Sequence, residues 1–341
     1  MQNRTDLALE LKEEKNIGSA QSGIIVKTRI DTTNHIKETK IIIKNKKGED
    51  SLGKPKGTYI TIEAKDLSTN DGSFHKEMSE ALFLNLKEML NKKKKILIAG
   101  LGNAGVTADS LGPKVVNNLY ITRHLQKEGI GNYQFELSAI APGVMAQTGI
   151  ETSEILESLA DRIKPDVVIV IDALAARSYS RLNKTIQISD TGIAPGSGVG
   201  NHRNEITQHT IGVPVLAIGV PTVVDATTIT VDAIQMTLKY LYLESENKTS
   251  YANKLSPTLV YENLNSVEDM SDIHKEAFLG PFGKLTEEQQ RTLIEEVLTP
   301  QGYNLMVTPK EIDVEVEDLS KIIANGINLA VHSGLYNGQS E

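Results

Sequence analysis

The sequence predicts an α/β fold: a largely parallel central sheet flanked by helices, with a peripheral β-rich N-terminal part and C-terminal helices. Two observations carry this. Between Lys92 and about Glu246, compact apolar runs of strand length alternate with helix-like stretches, and the run 167–171 is apolar at every position, as a strand buried on both faces must be. Outside that region the composition changes: before Asn91 the chain is polar and rich in Lys and Glu, and toward the end it carries helix-start signals.

Taken in order, residues 1–20 read as a loose N-terminal arm. Residues 21–91 form the peripheral part, with short alternating or β-branched runs at 23–26, 40–43 and 58–62 that read as strands. Residues 92–246 form the α/β core, with strands expected at 95–99, 135–140, 167–171, 185–188 and 215–220 and helices at 153–163 and 226–243. Residues 247–341 begin as an irregular excursion and end as a helical cover. Two capping boxes mark helix starts there, Thr286 with Gln289, and Thr308 with Pro309 and Glu311.

Composition excludes whole classes of function. The 341 residues carry 36 Lys and Arg against 44 Asp and Glu, a net charge of −8, which argues against binding nucleic acid or an anionic membrane. An apolar content of 39%, with 26 Gly and 11 Pro, is that of a globular protein. Cys is absent, which removes disulfides, thiolate metal sites and cysteine nucleophiles and favours an intracellular address. Residues 1–14 contain no apolar run of signal-peptide or membrane-span length, so neither export nor insertion is expected.

The turn 100–105, Gly-Leu-Gly-Asn-Ala-Gly, follows an apolar strand and has the spacing of a dinucleotide fingerprint, which makes a nicotinamide-dependent oxidoreductase the alternative function. Its context fails that reading, because residues 106–113 interrupt the helix start and the region of the expected ribose-binding acid reads Leu-Tyr-Ile-Thr-Arg-His. No cofactor is therefore expected. Asp190-Thr-Gly192 matches the triplet of all-β aspartic proteases, but in an alternating α/β chain it reads as a strand end and a loop. Zinc helices, nucleophile elbows and phosphate loops are absent as motifs. His35, His75 and His274 are expected at the surface, and His124 and His202, each beside an Arg, are weak candidates for a site.

Asp172 ends the apolar run 167–171 and so stands at a strand's C-terminal tip. Asp109 lies in the loop after the strand 95–99, at the same edge if the strands are parallel. Either alone could cap a helix. Together they form a pair that cannot both ionise cheaply, so one keeps a proton, giving an acid and a base for water-mediated hydrolysis. Backbone N–H groups of the turn, at Gly100, Gly102 and Asn103, are candidates to hold a developing oxyanion, since glycine permits close approach. No metal ligand set is assigned.

At 100–103, 111–114, 122–124, 141–145, 147–151, 171–178, 185–190, 195–201, 219–226 and 304–310 the chain resembles the germination protease family of endospore-forming bacteria. The Gly-x-Gly-Asn turn followed by an Asp also resembles the hydrogenase maturation endopeptidases. The resemblance implies an endopeptidase that degrades small acid-soluble spore proteins during germination, cutting after an acidic residue and before an apolar one. It further implies a self-processing zymogen, a homotetramer, and a cytoplasmic location in the forespore or spore core. The two carboxylates of the family fall on Asp109 and Asp172. The family usually has Pro where Ala108 stands, Ala where Ser110 stands and His where Ala194 stands, so no role passes to that His.

In the arm, Asp6 is followed by Leu7 and Ala8, the pattern implied for substrates. Self-cleavage is therefore expected between Asp6 and Leu7. Lower pH is expected to speed it, on the reasoning that a neutral Asp6 needs no buried cation.

Overall fold

The computed structural model describes residues 5–18, 20–21, 23–31, 36–64, 72–91, 93–131, 133–196, 203–246, 272–299 and 305–336. Its strands are β1 (Ala20–Gln21), β2 (Ile24–Asp31), β3 (Ile36–Ile43), β4 (Gly57–Ala64), β5 (Lys95–Gly100), β6 (Glu136–Ile140), β7 (Val167–Ala176), β8 (Thr185–Ser189) and β9 (Val215–Asp225). Its helices are α1 (Ala8–Glu14), α2 (Lys46–Leu52), α3 (Gly72–Met89), α4 (Leu111–Asn117), α5 (Arg123–Lys127), α6 (Met145–Thr148), α7 (Thr152–Ile163), α8 (Gln208–Ile211), α9 (Ala226–Glu246), α10 (Asp272–Leu279), α11 (Glu287–Leu298) and α12 (Ile312–Tyr336).

The strands form one sheet in the order β1-β2-β3-β4-β8-β9-β7-β5-β6. The half β9-β7-β5-β6 is parallel. The other half is antiparallel throughout, and β4 pairs with β8, Ile60 opposite Ile188, so the N-terminal strands extend the core sheet at its periphery. By contacts the chain forms two compact units, Arg4–Val224 with Thr308–Glu341, and Asp225–Val307.

Alternation sorts the strands' side chains into two cores. Ile169 and Ile171 of β7, Ile218 of β9 and Ile186 and Ile188 of β8 face α3, α4 and α12, meeting Met78, Leu82, Val115, Leu319 and Ile323. Val168 and Val170 of β7 and Ala217 of β9 face the other way, toward Leu156 and Ala160 of α7. On a further patch, Ile41, Ile43 and Tyr59 pack with Ala8 of α1 and Leu52 of α2.

Two elements depart from the sequence reading. The helix α3 lies in the part read as β-rich, where the sequence assigns no element to 72–89; its core contacts, Phe74, Met78, Leu82 and Leu86, recur every four residues among Lys and Glu, a stripe too narrow to stand out by composition. The second capping box does not form. Thr308 Oγ1 donates to the Thr222 carbonyl at 2.8 Å, so α12 begins only at Ile312. The first box forms as expected, Thr286 with Gln289. Among the described residues no helix is long and apolar enough to cross a membrane.

Candidate active site

Asp172 lies within β7, which continues to Ala176 paired with β9, and not at the strand's tip as expected; it stands where β5 ends, and the turn after β5 is tied to β7 there by the backbone. Leu101 N–H donates to the Ile171 carbonyl at 2.8 Å, directly before Asp172. The turn then folds back tightly, with Gly102 at φ +105°, where the Asp109 carbonyl oxygen lies 2.0 Å from the place a Cβ would occupy. At Gly100 the same test meets the Gly112 carbonyl of α4 at 2.1 Å. These glycines let α4 and the Asp109 loop pass against the end of β5, beside Ile171 and Asp172 of β7. The helix starts six residues beyond Gly105, at Leu111, so the turn lacks the glycine-in-helix geometry of a dinucleotide site.

Asp109 closes a short helical turn over Thr107–Asp109, held from the sheet by Thr222 Oγ1, which donates to the Ala108 carbonyl at 2.7 Å. Its Oδ2 accepts the Asn103 N–H at 2.8 Å. That donor, expected to face an oxyanion, is therefore committed to the Asp109 carboxylate. Asp172 is 5% exposed and its Oδ1 accepts the Ala173 N–H at 3.0 Å. Burial first, then the charges of Asp109 and Asp6, hold Asp172 well above the ordinary carboxylate range. Burial also raises Asp109, while the Asn103 N–H and the charge of Arg203 pull it back. The two carboxylates read from strand positions thus interact, and both feel Arg203.

The arm meets β7 near its end, three residues beyond Asp172. Asp6 N–H donates to the Ala175 carbonyl at 3.0 Å, and the Ala175 N–H returns a bond to Asp6 Oδ2 at 2.9 Å. The Asp6 carbonyl accepts from Gln187 Nε2 at 3.1 Å, and Gln187 Oε1 accepts the Ala8 N–H at 2.7 Å. Leu7 and Ala8 are fully buried. The Lys54 ammonium, pushed below its ordinary value by desolvation, feels the charge of Asp6 in the opposite sense. One turn on, Glu10, 3% exposed, accepts the Arg177 and Ser178 N–H groups at 2.7 and 2.9 Å and pairs with Arg181 at 3.4 Å. Thr5 Oγ1 also donates to Glu10.

Sequence reasoning passed over Gln187, Lys54, Ala175 and Glu10. Only Gln187 left a signal: in Thr-Ile-Gln-Ile-Ser, 185–189, a polar side chain alternates with two isoleucines, and in the structure that side chain is 8% exposed. His124 is exposed on α5, and His75 and His274 are half-buried, not at the open surface; His35 and His202 lie outside the described residues. Asp190 Oδ1 accepts the Thr58 N–H at 2.7 Å, the strand-end role expected of it.

The family model described as germination protease matches residues 3–341. The chain belongs to the germination protease family. Among its relatives, the germination protease of Geobacillus sp. is 44% identical, that of Bacillus cytotoxicus 45% and that of Priestia megaterium 42%, each match covering 96% of this chain and 93% of the relative. Membership in this family makes the chain a peptidase relative along its whole matched length. A solved structure of the [NiFe] hydrogenase maturation protease HycI from Thermococcus kodakarensis covers 40% of this chain and 80% of its own, at 20% identity and a TM-score of 0.28.

Proposed function

We propose that the chain is an endopeptidase whose acid and base are Asp172 and Asp109, and that it is made as a zymogen which cuts its own Asp6–Leu7 bond. The observation that carries this is the docking of that bond: Asp6 pairs with Ala175, three residues beyond Asp172, and its charge acts on Asp172. An acidic residue followed by a buried leucine is thus seated at the edge where the two carboxylates interact.

The chemistry follows from the two environments. Asp172, buried and beside two other carboxylates, keeps its proton; Asp109, with a backbone donor and Arg203 to offset burial, is the ionised partner. Asp109 takes a proton from water as the water oxygen bonds to the peptide carbonyl carbon. The carbonyl electron pair moves to oxygen and takes up the Asp172 proton. Collapse then expels the amide nitrogen, which leaves with the proton held by Asp109, and the new carboxyl group returns a proton to Asp172. The sum is one water consumed and one peptide bond replaced by a carboxylic acid and an amine.

The preference for an acidic residue before the cut is supported by the Ala175 N–H on Asp6 Oδ2 and by the Lys54 charge facing it. The family resemblance supports small acid-soluble spore proteins as the substrates, the spore core as the compartment and a homotetramer as the assembly, with neither cofactor nor nucleic acid taking part. The test is digestion of a purified small acid-soluble spore protein by the processed enzyme, with fragment masses mapping the cuts. Cuts on the carboxyl side of acidic residues, absent with Asp109→Asn and Asp172→Asn, are the expected result; a cut pattern unchanged in either variant overturns the pair.

A further inference from the structure

We infer that Gln187 is a further catalytic residue of the self-cleavage: its side-chain amide grips the backbone on both sides of the Asp6–Leu7 bond and stabilises the negative charge that builds on the Asp6 carbonyl oxygen before that oxygen takes up the Asp172 proton. The inference rests on the proposed cut at Asp6–Leu7. Gln187 Nε2 donates to the Asp6 carbonyl oxygen at 3.1 Å and Oε1 accepts the Ala8 N–H at 2.7 Å, so one planar amide spans the scissile peptide. A backbone N–H on one side and a carbonyl on the other allow only this orientation of the amide. It is the geometry of a group that reads main chain, not side chain, and so would serve any sequence placed there.

The sheet register aims Gln187 at the catalytic edge. Gln187 of β8 stands opposite Gly219 of β9, and Gly219 opposite Asp172 of β7. In-register partners share a face, so Gln187 and Asp172 point to the same side, two strand spacings or about 10 Å apart at the backbone, with a glycine between them. Asp6 bridges the interval, bonded to Ala175 on one side and Gln187 on the other. When the water oxygen adds, the carbonyl π pair becomes a lone pair on an oxygen that already accepts a hydrogen bond. No reorganisation is needed, and the bond strengthens as charge builds. The donor expected from the glycine turn, Asn103 N–H, is held by Asp109.

The test uses four full-length chains: wild type, Asp172→Asn, Gln187→Met and Gln187→Glu. The rate at which the Leu7 terminus forms is followed by intact mass. Glu keeps the acceptor for the Ala8 N–H and, ionised, loses the donor. Docking is read separately by hydrogen exchange of the amides of residues 6–9, with each Gln187 change placed in the uncut Asp172→Asn chain. Expected is a loss of about 100-fold or more in the Gln187→Glu rate while those amides stay protected, with Gln187→Met at least as slow. Wild-type speed in Gln187→Met, or a loss matched by an equal loss of protection in Gln187→Glu, overturns the oxyanion role and leaves the carboxylate pair standing. Processing in Asp172→Asn at wild-type speed, or a wild-type cut elsewhere, instead overturns the underlying reading of the site, and the Gln187 role with it.

Discussion

Asp172 is a buried acid whose environment favours the proton, and that has a consequence for stability as well as for chemistry. Its pKa in the folded chain lies above the ordinary value of 3.8 through burial and the charges of Asp109 and Asp6. The folded state therefore binds this proton more tightly than the unfolded state. The stability it confers is complete below about pH 3.8 and is lost as pH rises through the folded pKa. Asp172→Asn keeps the shape and the acceptor for the Ala173 N–H without the titration. We predict that the variant is inactive yet more stable than wild type at pH 7, by on the order of 1 kcal/mol or more, and that the difference vanishes near pH 4. Thermal melts across that range decide it, and a variant less stable at neutral pH would contradict the assignment of Asp172 as the protonated partner. The same proton sets the pH dependence of self-cleavage: the rate should fall as pH rises and the acid is lost. The direction is the one expected from the sequence, here with the Asp172 proton as its source.

At the scale of elements, the arm and α1 are docked on the sheet by a buried carboxylate. Glu10 satisfies two backbone N–H groups after β7 and shares Arg181 with Glu13 and Glu63, at 2.8 and 2.9 Å. Removing it strands those donors and one side of a partly buried cation, so Glu10→Ala should cost about 3 kcal/mol and slow self-cleavage by at least about tenfold, one decade for each 1.4 kcal/mol of docking lost. Urea denaturation beside the processing rate tests both; an unchanged rate would mean that α1 does not position Asp6. The arrangement of elements was largely legible because buried parallel strands advertise themselves: 95–99, 167–171 and 215–220 are apolar at nearly every position, and β5, β7 and β9 lie over them. The proposal of Asp109 and Asp172 starts from the same signal, one carboxylate directly after such a run and one in the loop that follows another. The docking of the arm was not. Glu10 and Gln187 are ordinary polar residues in sequence, and only the meeting of segments some 180 positions apart, Ala8 with Gln187, gives them a task.

At the scale of the whole chain, each copy holds the bond proposed for self-cleavage against its own sheet, Asp6 bonded to Ala175 and Gln187. Self-cleavage should therefore be first order, with a rate constant unchanged over about a hundredfold range of concentration, and added wild type should not process an Asp172→Asn chain. Rates rising with concentration would instead place the cut between molecules. The central claim, that Asp109 and Asp172 hydrolyse the Asp6–Leu7 bond, is tested most directly by the mass of the N-terminus. Full-length chain is incubated at mildly acid pH beside Asp109→Asn, Asp172→Asn and Asp6→Ala, all checked for folding. A wild-type terminus at Leu7, with the three variants still intact, is the predicted result. A different wild-type terminus, or a Leu7 terminus formed at wild-type speed by either carboxylate variant, would contradict it.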